Sequence, residues 1–348
     1  MRVKLEEVCE RGSSNLMQKD VSDCPGEYPI FGAAGQIGCV DFYHQERPYV
    51  AVVKDGAGIG RTILLPAKSS VIGTMQYLLP KENVLPDYLC YVVQYMHLEK
   101  YSSGATIPHI YFRDYKNEEF NLSSLDEQAG IVKTLNGVAD VIEKRRQQLS
   151  NLDVLIKARF VEMFGDPILN PLGWSIKRFD EISENLDSRR KPVTSSDRKE
   201  GIYPYYGASG IVDYVEDYIF DEDILLISED GANLLMRSTP IAFSVSGKVW
   251  VNNHAHVVRF KNISTQNYVE KYFSLIDITD SITGSAQPKL NQANLNAMLI
   301  PIPEKSLLDS YLDVVKQVNK SKAVVQVAHV IARNLHSRRQ QKCRILNF

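Results

Sequence analysis

An internal duplication is the feature that most constrains how this chain of 348 residues can fold. Three blocks return in the same order in its second half: residues 28–35 as 203–210, residues 55–57 as 230–232, and residues 104–108 as 284–288. The first two blocks repeat at an offset of 203 − 28 = 175 positions, and the third at 284 − 104 = 180. This order predicts two similar modules, and we interpret the five extra residues as loop insertions between the matched blocks.

A long helix is predicted after each module. Apolar residues alternate at spacings of three and four, a pattern typical of a coiled-coil seam: Ile131, Leu135, Val138, Ile142, Leu149, Leu152, Ile156 and Met163 in the first helix, and Tyr311, Val314, Val318, Val325, Ala328, Ala332 and Leu335 in the second. Arg145 and Arg159 fall on the first seam and weaken it. Ser124 and Glu127 form a capping box at the start of that helix, and Gly165 favours its end.

The modules themselves have the pattern of β-strands. Runs rich in β-branched and aromatic residues lie at 49–53 and 62–65, and again at 224–227 and 248–251, and each pair of runs flanks a Gly-containing stretch. We therefore expect a hairpin in each copy. The predicted fold class is α+β, with two similar β-rich modules separated by two long helices that pack as an antiparallel coiled coil with pseudo-two-fold symmetry. The predicted segments are a first module at 1–123, a central helix at 124–165, a second module at 166–303 and a C-terminal helix at 304–348.

Composition indicates an ordinary globular chain. Its 40 basic and 42 acidic residues give a formal net charge of -2, so charge alone does not indicate a nucleic-acid binder. The chain has no apolar run long enough to span a membrane, and acidic residues near its start argue against a signal peptide. The five scattered cysteines predict reduced thiols, and we therefore expect a cytoplasmic protein that does not bind membranes.

Two similar modules at the ends of a rigid helical spacer fit two kinds of partner. Duplex DNA has the same two-fold relation between its strands, so the modules could recognise two half-sites a fixed distance apart. Because the modules differ in sequence, the two half-sites should differ as well. The alternative is a two-headed coiled-coil adaptor that binds two proteins, and the pattern by itself does not separate these hypotheses.

Four strings carry a resemblance to a known family. They lie at 125–132 (Leu-Asp-Glu-Gln-Ala-Gly-Ile-Val), 230–237 (Asp-Gly-Ala-Asn-Leu-Leu-Met-Arg), 247–256 and 284–291 (Gly-Ser-Ala-Gln-Pro-Lys-Leu-Asn). With the duplicated layout, they make the chain resemble the specificity subunit of a Type I restriction–modification enzyme over nearly its whole length. Two departures exist: residues 106–110 read Thr-Ile-Pro-His-Ile where the family favours Gln-Pro-Lys-Leu, and Asp309 with Ser310 replaces the Glu-Gln that opens the first helix.

The resemblance implies a non-catalytic, sequence-specific DNA-recognition subunit. Each module would recognise one half of an asymmetric bipartite site in double-stranded DNA, and the helices would set the spacer and dock two methylation subunits. Restriction subunits would join them in the full complex. The resemblance also implies that this chain binds no cofactor, with S-adenosylmethionine, ATP and Mg expected on the partner subunits.

The sequence lacks the motifs that catalysis would need. No GxxxxGK[ST] phosphate-binding loop occurs, and residues 170–174 do not match the motif of an amino-methyltransferase. The Gly-rich stretch at 55–61 is interpreted as a tight turn, because the residues after it have a strand pattern. His254 and His256 could face one side of a strand, but no third ligand stands out, so we predict no metal site and a structural hydrogen-bonding role.

Candidate contact residues follow from the loops, the family strings and the helices. The DNA-binding candidates are basic, amide or imidazole side chains that suit phosphates and base edges: Lys54, Arg61, His109, Arg189, Arg190, Lys191, Asn233, Arg237, Lys248, Gln287, Lys289 and Asn291. The alternative for each is a loop-capping or solvated role. The subunit-docking candidates lie on the two helices: Glu127, Gln128, Arg145, Arg159, Arg338 and Arg339.

Overall fold

The fold was analysed in a computed structural model. It describes residues 1–23, 25–104, 106–284 and 286–345, without the side chains of 22–23 and 336–345. The chain divides into two compact units, one formed by Met1–Gln147 with the residues from Gln326 onward, and the other by Gln148–Val325. Each unit therefore contains one module together with part of each long helix.

In the described residues of the first module, nine short strands and four helices precede the first long helix. The strands are β1 (Arg2–Lys4), β2 (Cys9–Ser13), β3 (Pro25–Gly32), β4 (Gly35–Val40), β5 (Tyr49–Val53), β6 (Thr62–Leu65), β7 (Ser70–Val71), β8 (Met75–Pro80) and β9 (Glu119–Asn121). The helices are α1 (Leu5–Val8), α2 (Asp20–Asp23), α3 (Pro86–Tyr95) and α4 (Phe112–Tyr115), with a 3₁₀ turn at Leu98–Tyr101.

Strand β5 lies at the centre of the first module because both of its faces are apolar. It belongs to an antiparallel sheet of order β2-β8-β5-β6, and β4-β3-β7 and β1-β9 form two further sheets. All five of its residues are buried. Val50 and Val52 pack in one hydrophobic cluster, while Tyr49, Ala51 and Val53 pack in another, as the alternation of side chains along a strand requires.

The second module repeats this plan. Its strands are β10 (Ser175–Arg178), β11 (Ser183–Asn185), β12 (Glu200–Gly207), β13 (Gly210–Val215), β14 (Phe220–Asp221), β15 (Ile224–Ser228), β16 (Ala242–Val245), β17 (Lys248–Val251), β18 (Ala255–Phe260) and β19 (Leu299–Ile302). Numbering the first long helix α5, its shorter helices are α6 (Phe179–Ile182), α7 (Asn233–Met236), α8 (Ile263–Phe273) and α9 (Gln292–Ala297). The sheets run β11-β18-β15-β16, β13-β12-β17-β14 and β10-β19.

The five extra residues of the second copy lie in one place. Strand β15 follows β5 at an offset of 175, whereas β16 follows β6 at 180, so the insertion falls between these strands. The connection of 54–61 in the first module corresponds to 229–241 in the second, which contains α7. The hairpin predicted between 224–227 and 248–251 is wrong. The antiparallel partner of β15 is β16, whereas β17 pairs in parallel with β12.

The two long helices are α5 (Leu125–Phe164) and α10 (Lys305–Ile345), each within a few residues of its predicted bounds. The predicted capping box is confirmed, because the Ser124 amide donates to Glu127 at 3.0 Å and the Glu127 amide donates to the Ser124 hydroxyl at 3.4 Å. Gly165 ends α5 at a φ of 79°, in the left-handed region that glycine favours.

The helices pack antiparallel within the second unit. Phe160 and Phe164, near the end of α5, contact Tyr311, near the start of α10. Farther along, Asp153 forms an ion pair of 2.6 Å with Lys322. The predicted seam residues of α5 are all at least half-buried. In the second seam the prediction for Leu335 is wrong, because its side chain is exposed.

Candidate DNA interface

The blocks that revealed the duplication lie together in the first module. The Gly56 amide donates to the Pro108 carbonyl at 3.0 Å, and the Ile110 amide donates to the Lys54 carbonyl at 2.9 Å. We call residues 54–61 and 106–110 the first loop edge. Gly56 has a φ of 91°, so glycine suits this turn after β5. The predicted interpretation of this stretch as a tight turn is confirmed, because β6 follows it.

The second module brings its own copies of these blocks together in the same way. The Gly231 amide donates to the Pro288 carbonyl at 3.0 Å, and the Leu290 amide donates to the Glu229 carbonyl at 2.8 Å. We call residues 229–241 and 286–290 the second loop edge. Gly231 has a φ of 106°, so it fills the role of Gly56. Both modules thus present a two-segment surface of the same backbone design.

The first loop edge contains three of the predicted DNA-binding residues. His109 places its Nδ1 2.7 Å from Asp55, and its side chain is 37% exposed. Lys54 lies 3.8 Å from the same carboxylate. Arg61 donates to the Ala33 carbonyl at 2.8 Å. His109 and Lys54 therefore share the Asp55 carboxylate, whereas Arg61 reaches the turn between β3 and β4.

A buried charge network underlies the second loop edge. His256 faces an acceptor at each ring nitrogen, because Nδ1 lies 2.6 Å from Asp187 and Nε2 lies 2.7 Å from the Leu290 carbonyl. Arg190 donates to Glu229 at 2.6 Å, and Lys289 forms an ion pair of 3.0 Å with the same carboxylate. We call these five side chains the buried charge network, although the Lys289 side chain at its edge is 48% exposed. It confirms the predicted hydrogen-bonding role of His256.

The charges of this network shift two carboxyl groups. Burial by itself would raise the pKa of Asp187 and of Glu229. Hydrogen bonds from His256 to Asp187, and from Arg190 and Lys289 to Glu229, outweigh that effect and leave both pKa values lowered. Both carboxylates are therefore charged at neutral pH, each beside a basic side chain.

The network has the residue types of a metal site but not its free ligands. Asp187, Glu229 and His256 place ligand atoms within 4.8 Å of one another. The two carboxylates, however, already accept from Arg190, Lys289 and the Val257 amide, and His256 is engaged at both ring nitrogens. Since a cation would have to displace these partners, the geometry favours a structural role.

Several predicted DNA-binding side chains are engaged within the second unit instead. Arg190 also donates to the Ala255 carbonyl at 2.8 Å. Arg189 pairs with Glu222 at 2.6 Å. Arg237 donates to the Phe273 and Ile276 carbonyls at 2.8 Å each, and burial lowers its pKa. Asn233 closes its own loop through Ser238 and Thr239. For these four residues the alternative of a capping or loop-holding role fits better.

The remaining candidates of the second module are more accessible. Lys191, Lys248 and Gln287 are exposed, and the Lys248 ammonium lies 4.7 Å from the centre of the Tyr218 ring. Lys289 is 48% exposed despite its pairing with Glu229. Asn291 instead caps α9, since its side chain accepts from the Asn294 amide at 2.8 Å.

The docking candidates on the helices differ in accessibility. The docking role predicted for Gln128 does not fit its surroundings, because the side chain is fully buried. It accepts from the Leu85 amide at 2.8 Å and donates to the Asn83 and Ser123 carbonyls. It holds the start of α5 to the module. Glu127 belongs to the capping box, Arg159 pairs with Glu162 at 2.6 Å, and Arg145 is half-buried. Arg338 and Arg339 lie outside the described side chains.

Four acids organise these surfaces, and none of them was among the predicted site residues. Asp187 and Glu229 are remote from His256 in the chain, so no local spacing indicated their contact. Asp55 and Asp230 did carry a signal, because they are the first residues of a duplicated block. A search for acids that recur at the repeat offset would have found them.

Comparison with known proteins decides the family. The profile of the Type I restriction modification DNA specificity domain matches residues 1–151 and 171–318, which is most of the chain. The chain belongs to this family. Both matched segments begin at or near the start of a module, as the duplication predicted. Among the described residues, no helix is long and apolar enough to cross a membrane.

Two individual proteins that are similar to this chain are named as specificity subunits. A putative type I restriction enzyme specificity subunit of Haemophilus influenzae is 39% identical over 131 residues, which is 38% of this chain and 34% of that protein. The chain thus matches about a third of that relative's length. The Type I restriction enzyme MjaIX specificity subunit of Methanocaldococcus jannaschii is 22% identical over 90% of this chain and 78% of its own length.

The fold is shared with solved structures. The S subunit of a Type I restriction–modification system from M. genitalium superposes with a TM-score of 0.65 at 16% identity, covering 99% of this chain and 95% of that one. A chain from a structure describing assembly and conformational transition of a type I system gives a TM-score of 0.57 at 14% identity, covering 99% and 97%. The predicted α+β architecture with two repeated modules is confirmed.

Proposed function

We propose that this chain is the DNA-recognition subunit of a Type I restriction–modification complex and performs no catalysis itself. The observation that carries the proposal is the pair of loop edges, which share one backbone design but present different side chains. A subunit built in this way suits an asymmetric bipartite site, one half for each module. Lys54, Arg61 and His109 are the contact candidates of the first module, and Lys191, Lys248, Gln287 and Lys289 are those of the second.

The long helices are proposed to set the spacer between half-sites and to dock two methylation subunits. On α10 the side chains of Val327, Ile331 and Leu335 are exposed at a spacing of four, which places them on one face. Exposed Val154 and Val161 lie seven residues apart on α5. Such apolar positions on a soluble helix favour a protein partner. Restriction subunits would join the complex in the cytoplasm, with S-adenosylmethionine, ATP and Mg held by partner subunits.

Sequencing of host DNA for methyladenine, with and without this gene, tests the proposal. We expect methylation to disappear at one asymmetric bipartite motif and to return when the wild-type gene is restored. An unchanged methylome, together with co-purification of a methylation subunit, would mean that the system is silent. An unchanged methylome without that partner would contradict the proposal and favour the two-headed adaptor.

A further inference from the structure

Each module holds a histidine against the same aspartate position. Asp55 and Asp230 are counterparts at the offset of 175. The Nδ1 atom of His109 lies 2.7 Å from an Asp55 oxygen, and the Nδ1 atom of His254 lies 2.9 Å from both oxygens of Asp230. The two modules thus contain the same pair of groups at the turn that follows the central strand.

The duplication alone does not account for these pairs. At the offset of 180, the counterpart of His109 is Lys289, and the counterpart of His254 is Thr74. The imidazole reaches the shared aspartate from the end of a loop in one module and from the residue before β18 in the other. Both modules therefore place an imidazole beside this aspartate, although the two histidines are not counterparts in the duplication.

The aspartate also determines which nitrogen faces outward. A carboxylate accepts the Nδ1 proton and holds the ring orientation, so Nε2 points away from the pair. The side chains of His109 and His254 are 37% and 50% exposed. Within the described parts of the chain, no hydrogen-bond partner is found for either Nε2 atom, whereas both nitrogens of the buried His256 are engaged.

We propose that His109 and His254 contact DNA through Nε2, one in each half-site, with Asp55 and Asp230 as positioning residues. This proposal rests on the proposed function and adds His254 to the contact residues. In its protonated form the imidazole donates from Nε2 to an acceptor on DNA, either a phosphate oxygen or the O6 or N7 atom of guanine.

The charged groups near the two rings differ between the modules. His109 faces Asp55, whose other oxygen lies 3.8 Å from Lys54, and its ring stacks on Tyr111, which also contacts Arg113. His254 faces Asp230, and Asp230 pairs with Lys289 in an isolated main-chain β-bridge. The His254 carbonyl accepts from the Glu229 amide. Each histidine therefore has one acid in direct contact, and a lysine ammonium lies near that acid in the first module, whereas the Lys289 ammonium of the second module pairs with Glu229.

The test uses the assembly with its methylation subunits and a duplex carrying its methylated motif. We expect wild-type affinity to fall as the pH rises, because the proposed contact needs a proton on Nε2 while Nδ1 keeps its own. His109→Gln and His254→Gln keep a donor for the aspartate but lose the charge. Each should weaken binding at pH 6 by about tenfold and reduce the pH dependence. His97→Gln is the matched control, because His97 is exposed and pairs with Glu99 outside the duplicated blocks.

The positioning role has its own measurement. Asp55→Asn and Asp230→Asn remove the carboxylate that keeps the proton on Nδ1, so the neutral ring can carry its proton on Nε2, accept from the amide at Nδ1 and donate to DNA without further protonation. We expect these variants to bind with a flatter pH profile than the wild type. A profile as steep as that of the wild type would contradict the positioning role.

The same variants distinguish the two acceptors on DNA. Loss of a phosphate contact weakens binding to all sequences alike and lowers the salt slope by about one, whereas loss of a guanine contact relaxes the preference at one base of one half-site. If both glutamine variants keep wild-type affinity, site and pH profile while the wild type still recognises its motif, this inference is wrong and the proposed function stands. A wild-type assembly that recognises no bipartite motif would contradict the proposed function itself.

Discussion

Arg190 is the residue on which the interior of the second loop edge depends most. Its guanidinium pairs with Glu229 at 2.6 Å and with Asp187 at 3.4 Å, and it also donates to the Ala255 carbonyl. Its side chain is only 14% exposed. Since a buried carboxylate that loses its partner keeps its desolvation cost, the removal of Arg190 affects both acids at once.

Arg190→Met should therefore lower the free energy of unfolding of the second unit by about 3 kcal/mol. Lys199→Met is the control, because Lys199 forms a solvent-exposed pair with Glu216, and such pairs contribute little to stability. Urea denaturation followed by tryptophan fluorescence suits the measurement, since both tryptophans, Trp174 and Trp250, lie in this unit. Equal losses in the two variants would show that the network is not stabilising.

The lowered pKa values of Asp187 and Glu229 predict acid sensitivity of the same unit. The unfolded chain binds protons at a higher pH than the folded one, so the stabilisation is fully present above the unfolded pKa values, about 4. It is lost as the pH falls through the lower folded values. The tryptophan signal should report a falling free energy of unfolding below about pH 5, with a shallower fall in Glu229→Gln. An identical slope in that variant would contradict this assignment.

At the scale of elements, the end of α5 packs into the core of the second module through aromatic side chains. Phe160 and Phe164 are buried, and the Phe160 ring stacks on Tyr268 of α8 with centroids 5.1 Å apart. The start of α5 is held differently, by the three hydrogen bonds of Gln128. The helix is thus fixed near its end by aromatic packing and near its start by a buried amide.

Phe160→Ala should lower the free energy of unfolding of the second unit by about 3–5 kcal/mol, because it leaves a cavity between α5 and its neighbours. The adjacent Val161 is exposed, so Val161→Ala is a matched control expected to change stability by less than about 0.5 kcal/mol. Both variants can be compared by urea denaturation. A small loss in Phe160→Ala would mean that the neighbouring rings close over the space.

At the scale of the whole molecule, charge limits what the chain can do alone. Its formal net charge is -2, and Arg189, Arg190 and Arg237 are occupied by acids or carbonyls of the second unit. Affinity for DNA derives largely from basic side chains that neutralise phosphates. Much of the phosphate contact must therefore come from partner subunits if the proposed function is correct.

We expect the isolated chain to bind its motif weakly at physiological salt and strongly only with methylation subunits. Fluorescence anisotropy with a labelled duplex, measured with and without those subunits, checks this expectation. A scrambled duplex of the same composition is the control for nonspecific binding. Tight, sequence-specific binding by the pure chain would contradict it. Charge reversal at Arg190 is not a test of DNA contact, because it would disturb the interior of the second module.

The sequence by itself determined the features that depend on local interactions and on repetition. The capping box at Ser124, the end of α5 at Gly165 and the apolar seam all follow from neighbours within a few residues, so their patterns predicted the helix bounds closely. The duplication predicted two like modules, because similar strings adopt similar folds. Family membership followed from the same strings.

Only the tertiary structure decided which distant groups meet. The choice of β16 rather than β17 as the partner of β15 depends on hydrogen bonding across a sheet, which strand propensity does not encode. The occupation of Arg190 and Gln128 by internal partners depends on contacts between segments 39 and 45 residues apart. Burial decides whether a polar side chain is free to contact a partner or is held by hydrogen bonds inside the module, and burial depends on the complete fold.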